Sequence, residues 1–164
     1  SPFYSSGRAT FDTFQDYSSR IQIRQIKDFH VIHERFVGSY IDLKHLWPDF
    51  LRRYRQQIPP GALYLERFYD DPTITRLDHC VYDICATVNE DCALENQTTI
   101  PGGTYAVYHY EGSIPDIFCS IQGVFSVWLP QSGYKMARRY GLNVYPAMSE
   151  NSDTVLLELC IPIQ

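Results

Sequence analysis

Residues 38–54 read GSYIDLKHLWPDFLRRY, and residues 112–130 read GSIPDIFCSIQGVFSVWLP. In the first stretch Leu43, Leu46, Trp47, Phe50, Leu51 and Tyr54 recur at the spacing of one helix face, with Lys44, His45, Asp49, Arg52 and Arg53 on the other. In the second, Ile114, Ile117, Phe118, Ile121, Phe125, Trp128 and Leu129 form an apolar face of the same kind. Each stretch opens on a glycine that closes a strand-like run, and the two glycines lie 112 − 38 = 74 residues apart. A shift of 74 carries Trp47 onto Ile121, Phe50 onto Val124, Leu51 onto Phe125 and Tyr54 onto Trp128, apolar onto apolar each time. The chain therefore reads as an internal duplication. A proline inside a helix costs about 3 kcal/mol. The first helix is accordingly predicted to start near Leu46, with Pro48 in its first turn, and the second to stop at Pro130. Ser113 is predicted to cap the second helix, with Pro115 in its first turn.

Working outward, residues 21–37 alternate β-branched or aromatic with polar side chains, as one long or interrupted strand would. Strands are also expected over 62–69, 79–88, 104–110, 143–145 and 154–163, with a polar loop over 89–99 and turns at Asp70-Asp71-Pro72 and at 150–153. The order is β-α-β-β twice. That order implies an α+β fold: duplicated units forming one curved, mostly antiparallel sheet with two main helices on one face. The opposite face is expected to be free for a ligand cleft along the pseudo-two-fold seam. Residues 1–20, rich in Ser, Thr, Gly and Asp, read as a linker or poorly ordered lead-in. The domain proper is then 21–164, with repeats of about 21–88 and 100–164.

Composition narrows the function. At 164 residues, 45% hydrophobic and 20% charged, the chain is a folded domain rather than a disordered segment. No apolar run approaches the roughly 18 residues of a membrane helix. A net charge of −5 is wrong for a chain that grips nucleic acid by itself. The odd set Cys80, Cys85, Cys92, Cys119 and Cys160 has no C-x-x-C spacing, so free thiols in a cytoplasmic protein are expected. No signal-peptide pattern is visible, and a first residue of Ser suggests a processed chain, a tag remnant or a domain cut from something longer. His30 and His33, three apart in a strand, point to opposite faces and predict no metal site. No nucleophile elbow, P-loop or dinucleotide fingerprint occurs, and no cofactor is implied. Arg52-Arg53-Tyr54-Arg55 and Arg138-Arg139 are read as solvated faces, with a partner surface as the alternative.

Aromatic residues make up 15% of the chain, which suggests a ring-lined pocket as well as a large core. Glu158 is the sharpest anomaly, because every neighbour in Val155-Leu156-Leu157-Glu158-Leu159-Cys160-Ile161 is apolar. A bare carboxylate in a central strand needs a cation or hydrogen-bond donors. A bound organic cation would serve, and so would an arginine or open water at an edge strand. Glu158, Tyr40, Tyr82, Tyr108, Trp47, Trp128 and Tyr145 are the candidate ligand-binding residues, although rings at helical spacing, such as Trp47 and Trp128, also suit a core. No catalytic residue is assigned.

Several segments resemble one family. Val37-Gly38-Ser39-Tyr40, Tyr69-Asp70-Asp71-Pro72, Val81-Tyr82-Asp83-Ile84-Cys85 and Gly102-Gly103-Thr104-Tyr105-Ala106-Val107 are similar, in order and spacing, to motifs of the GyrI-like small-molecule-binding domain. So are His109-Tyr110-Glu111-Gly112, Trp128-Leu129-Pro130-Gln131-Ser132-Gly133-Tyr134 and Leu157-Glu158-Leu159-Cys160-Ile161-Pro162-Ile163. This is the effector-binding domain of AraC-type and MerR-type transcription regulators. The resemblance implies a cleft between the halves with Glu158 at its base. Val81 stands where the family often has Arg, which removes one partner expected for Asp83. The function implied is ligand sensing in a bacterial transcription regulator, with a lipophilic small molecule, cationic or neutral, as the ligand in an aromatic cleft. Its DNA contact would come only through a helix-turn-helix domain absent from this chain. No membrane partner is implied, and a homodimer is left open. The alternatives are a hydrolase of reactive cyclopropane-type compounds and a stand-alone gyrase-modulating interaction protein.

Overall fold

The computed structural model describes residues 12–38, 40–69, 80–146 and 154–164, with the side chains of Tyr40, Ile41, Leu43 and Lys44 outside that description. The strands are β1 (Ile21–Ile26), β2 (Phe29–Gly38), β3 (Tyr64–Phe68), β4 (Cys80–Thr87), β5 (Gln97–Ile100), β6 (Gly103–Ser113), β7 (Gly141–Tyr145) and β8 (Thr154–Pro162). They make one eight-stranded sheet in the order β1-β6-β8-β7-β3-β4-β2-β5, and every strand pairing is antiparallel. The helices are α1 (Phe14–Ser18), α2 (Tyr40–Tyr54), α3 (Ile117–Gly123) and α4 (Leu129–Ser132), with a π-helical turn over Val124–Trp128 joining the last two.

The duplication holds in the register. Arg35 faces Asp83 across β2–β4 as His109 faces Glu158 across β6–β8, and Gly38 faces Cys80 as Gly112 faces Val155. Strands β3 and β7 meet at the middle of the sheet, so the pseudo-two-fold passes between them. Period-two alternation then divides the side chains between two faces. One face carries Ile32, Tyr82, Ile84, Ala106, Tyr108, Leu157 and Leu159, and packs against Trp47 and Phe50 of α2 and against Ile121, Val124, Phe125 and Trp128 of the second helical segment. The other carries Val31, Leu65, Cys85, Tyr105, Val107, Leu142, Val144 and Cys160. Each large apolar side chain buried on either face contributes roughly 1.5–3 kcal/mol.

Residues 21–37 are the interrupted strand rather than one long one: β1 and β2 break at Lys27-Asp28 and lie near opposite ends of the sheet. Three expectations need correction. Helix α2 starts at Tyr40 rather than near Leu46, with Pro48 inside it. Pro48 is exposed, so its cost is one helical hydrogen bond on the solvent side, and burial of Trp47 and Phe50 outweighs it. Pro130 does not stop the second helix. The helix absorbs it through the π turn, in which the Leu129 N–H donates to the Val124 carbonyl, and ends only at Gly133 with φ 81°. Ser113 is not its N-cap; that position is Asp116, to which the Ser113 hydroxyl donates at 2.6 Å.

Two polar segments also gain structure. Within 89–99 the end of the expected loop is strand β5, paired with β2. Residues 12–20 of the expected lead-in hold α1, closed by a capping box between Thr13 and Asp16. Tyr17 on that turn is 1% exposed and its ring lies 5.6 Å from that of Tyr108. The Asp70-Asp71-Pro72 turn and residues 150–153 lie outside the described residues.

Candidate functional site

The carboxylate at the centre of the sheet is Glu66, not Glu158. Glu66 lies on β3, between Leu65 and Arg67, and points to the helix-covered face at 4% exposure. Its register partner across the seam is Asn143 of β7. Ile84 faces Glu66 as Leu159 faces Asn143, so the two occupy the same position in the two halves. Asn143 Nδ2 donates to Glu66 Oε1 at 3.1 Å, and the Tyr145 hydroxyl donates to the same oxygen at 2.7 Å. Trp47 Nε1, reaching down from α2, donates to Oε2 at 2.8 Å. Among the described residues no arginine, lysine or histidine forms an ion pair with Glu66.

The electrostatics follow from that arrangement. Burial pushes the Glu66 carboxyl above the usual glutamate range, and the bonds from Trp47, Tyr145 and Asn143 pull it part of the way back. Three neutral donors stabilise a buried carboxylate but do not neutralise it. Rings surround the group. Trp47 meets Phe50, Tyr64 and Tyr145 edge-on at centroid distances of 5.5, 6.0 and 6.4 Å. Tyr82, fully buried on the neighbouring strand, has its hydroxyl pushed up by burial first, and then by the nearby Cys80 thiol and Glu66 carboxyl.

The structure thus brings Trp47 and Tyr145 onto one carboxylate, with Tyr82 beside it. It does not bring the other candidates there. Tyr108 packs on Tyr17 of α1, and the Trp128 indole donates to Ser18 Oγ at 3.2 Å and stacks on Tyr134. The side chain of Tyr40 is outside the described residues. Glu158 points to the helix-free face, as period two requires once Leu157 and Leu159 pack under the helices. It is 23% exposed and paired with Arg24 at 2.8 Å, which is the arginine-paired alternative. Glu158 thus lies on the face where the cleft is expected, with its charge met by Arg24.

Asp83, the counterpart of Glu158, is fully buried on that same face. Val81 supplies it no cation, but Arg67 does at 2.8 Å and Arg35 at 3.0 Å, while the Tyr69 hydroxyl donates at 2.6 Å. Burial alone would raise this carboxyl; the bonds from Arg35, Tyr69 and Arg67 outweigh it and hold the group below the ordinary aspartate range. The Asp83 arrangement is a satisfied ion-pair network, whereas Glu66 is a buried carboxyl with no counterion among the described residues. No group of three metal-ligating side chains occurs among the described residues, and no helix there is long and apolar enough to cross a membrane.

The model of the family described as the GyrI-like small molecule binding domain matches residues 19–164. The chain belongs to this family. A stretch of 94 residues is 33% identical to a protein of Escherichia coli O157:H7 named "Probable transcriptional regulator YgiV", covering 55% of this chain and 59% of YgiV. The match therefore spans about three-fifths of that relative's length. Among solved structures, the C-terminal domain of EcmrR superposes with a TM-score of 0.72 at 15% identity, covering 88% of this chain and 96% of that one. SAV2435, solved bound to tetraphenylphosphonium, superposes with a TM-score of 0.58 at 16% identity, covering 88% of this chain and 93% of that one. At these identities the two structures share the fold, and the family is what the sequence match establishes.

Proposed function

We propose that this domain is the ligand-sensing part of a bacterial transcription regulator, and that its ligand is a lipophilic cation held against Glu66. The observation that carries the reading is the buried Glu66 carboxylate, set among rings on the seam between the halves, with three neutral donors and no described counterion. A soft organic cation supplies the missing charge, and the surrounding rings add cation–π attraction to it. SAV2435, which binds tetraphenylphosphonium on the same fold, supports a cation of that kind, and YgiV supports the regulatory role.

The geometry also gives a route for the signal. Oε2 of Glu66 is taken by the Trp47 indole, so a cation reaching that oxygen displaces Trp47 and with it α2. Ligand energy then shifts α2 only as far as affinity differs between the two positions. DNA contact belongs to another part of the regulator, consistent with this chain's net charge of −5. Five free cysteines, three of them buried, suit a reducing cytoplasm. A Listeria innocua protein described as a hydrolase has this fold at a TM-score of 0.52 and 8% identity. We favour binding without turnover, because relatives matched in sequence, YgiV among them, are named as transcriptional regulators.

The test is a tryptophan-fluorescence titration with tetraphenylphosphonium. Glu66→Gln is expected to weaken binding by about 10- to 100-fold, the scale of a lost charge-assisted contact. Glu158→Gln is expected to bind like the parent. Equal affinity in the parent and Glu66→Gln refutes the assignment.

A further inference from the structure

The helix-free face holds a cleft of about 330 Å³, at the small end of the range for ligand pockets. Tyr69, Tyr105, Tyr140, Arg138 and Arg139 line it, with Ile100. Its walls are built, not incidental. Arg139 is fixed: its two Nη groups donate to the carbonyls of Gly102 and Thr104, each at 2.9 Å, and its guanidinium lies 4.7 Å from the centre of the Tyr105 ring. Gly103, at φ 145°, leaves the room this side chain fills, because a Cβ there would run into the guanidinium. On the far side the Tyr140 ring lies 4.0 Å from that of Tyr69, tilted by 58°, and the Tyr69 hydroxyl is anchored on Asp83.

The charge balance points to an anion. Arg35 and Arg67 stand behind Tyr69, 4.7 and 5.5 Å from its ring, and Arg138 and Arg139 stand at the lining. Against these four guanidinium groups the neighbouring carboxylates among the described residues are Asp83, already bound by Arg35 and Arg67, and Asp28, which accepts the Gly102 N–H at 2.7 Å. Arg138 is exposed and has no hydrogen-bond or ion-pair partner among the described residues. A fork-shaped donor beside an exposed ring recognises a planar anion bidentately and stacks its flat body. Tyr140, 45% exposed, supplies such a face.

We propose that this cleft is a second binding site, for a small planar aromatic carboxylate, with Arg138 taking the carboxylate and Tyr140 the ring. The site is distinct from that of Glu66. Strand β3 presents Glu66 to one face and Arg67 to the other, so sites of opposite charge preference stand back to back. The basic pair Arg138-Arg139, an unassigned feature of the sequence, thereby acquires a role.

The experiment is isothermal titration of the intact chain with 2-naphthoate and with its uncharged analogue 2-naphthalenemethanol. The expected result is saturable 2-naphthoate binding with a Kd below about 1 mM, and at least about tenfold weaker binding of the alcohol. Arg138→Gln, at an exposed side chain with no described partner, should keep the fold and lower 2-naphthoate affinity about tenfold. Tyr140→Ala should lower the affinity for both compounds. Tetraphenylphosphonium binding should be unchanged in both variants, which separates this site from the one at Glu66. The proposal is overturned by equal affinity for acid and alcohol, by an Arg138→Gln variant that binds 2-naphthoate like the parent, or by no binding up to about 10 mM.

Discussion

Replacing Glu66 by glutamine changes one atom and should change stability in a pH-dependent way. Oε1 accepts from Tyr145 and Asn143, so the glutamine oxygen belongs there and keeps both bonds. The amide nitrogen then faces Trp47 Nε1, which only donates. A buried indole N–H without an acceptor costs about 1–3 kcal/mol. Set against this is relief from a buried charge. The folded carboxyl titrates above its ordinary value of 4.5, first because of burial. A raised folded value means that stability is fully present below the unfolded value and is lost as pH rises through the folded one. Glutamine does not titrate. The variant should therefore be less stable than the parent by about 1–3 kcal/mol near pH 4.5, and the gap should narrow as pH rises above it. Urea denaturation followed by tryptophan fluorescence at a series of pH values measures both ends. A gap that stays constant across the series would show that Glu66 carries no burial-raised charge, and the reasoning would fail.

Other outcomes follow from the same contacts. Asp83→Asn strands Arg67, whose side chain is 9% exposed, and should cost about 3–5 kcal/mol in denaturant unfolding. Because the Asp83 carboxyl is held below its ordinary value of 3.8, its contribution in the parent is present above that value and lost as pH falls. Acid titration of parent and variant should therefore converge at low pH. Glu158→Gln removes a half-exposed pair with Arg24 and should change stability by no more than about 1 kcal/mol. Gly123→Ala places a methyl group against the Tyr17 hydroxyl; it should undock α1, costing about 1–3 kcal/mol, and expose residues 12–20 to protease while the Glu66 site still binds.

Much of this architecture is written in the sequence because it rests on periodicity. The shift of 74 that pairs Trp47 with Ile121 and Phe50 with Val124 does place all four in one core. Where packing overrides local rules, the reading fails. Pro48 and Pro130 look like helix ends, yet burial of the flanking rings outweighs one lost bond, and a π turn absorbs the other. Strands β1 and β2 are adjacent in sequence and remote in the sheet, which no local pattern encodes.

The two glutamates differ from their local appearance for a related reason. Glu158 sits among aliphatics and looks stranded, but alternation sends it to the face where Arg24 waits, while Leu157 and Leu159 take the core. Glu66 sits beside Arg67 and looks like half of a solvated charge pair, although the two point to opposite faces. The signal that could have found it is the same alternation: Tyr64, Glu66 and Phe68 share a face, and two of those three are aromatic. Asn143 carried no signal of its own, since its role comes from facing Glu66 across the seam.

The most direct test of the central claim is a carbon-13 NMR titration of the Glu66 carboxyl, with and without saturating tetraphenylphosphonium. The free protein should titrate above 4.5, and the bound cation should bring that midpoint down. A midpoint that tetraphenylphosphonium leaves where it was, at saturation, would contradict the assignment of Glu66 as the ligand's counterion.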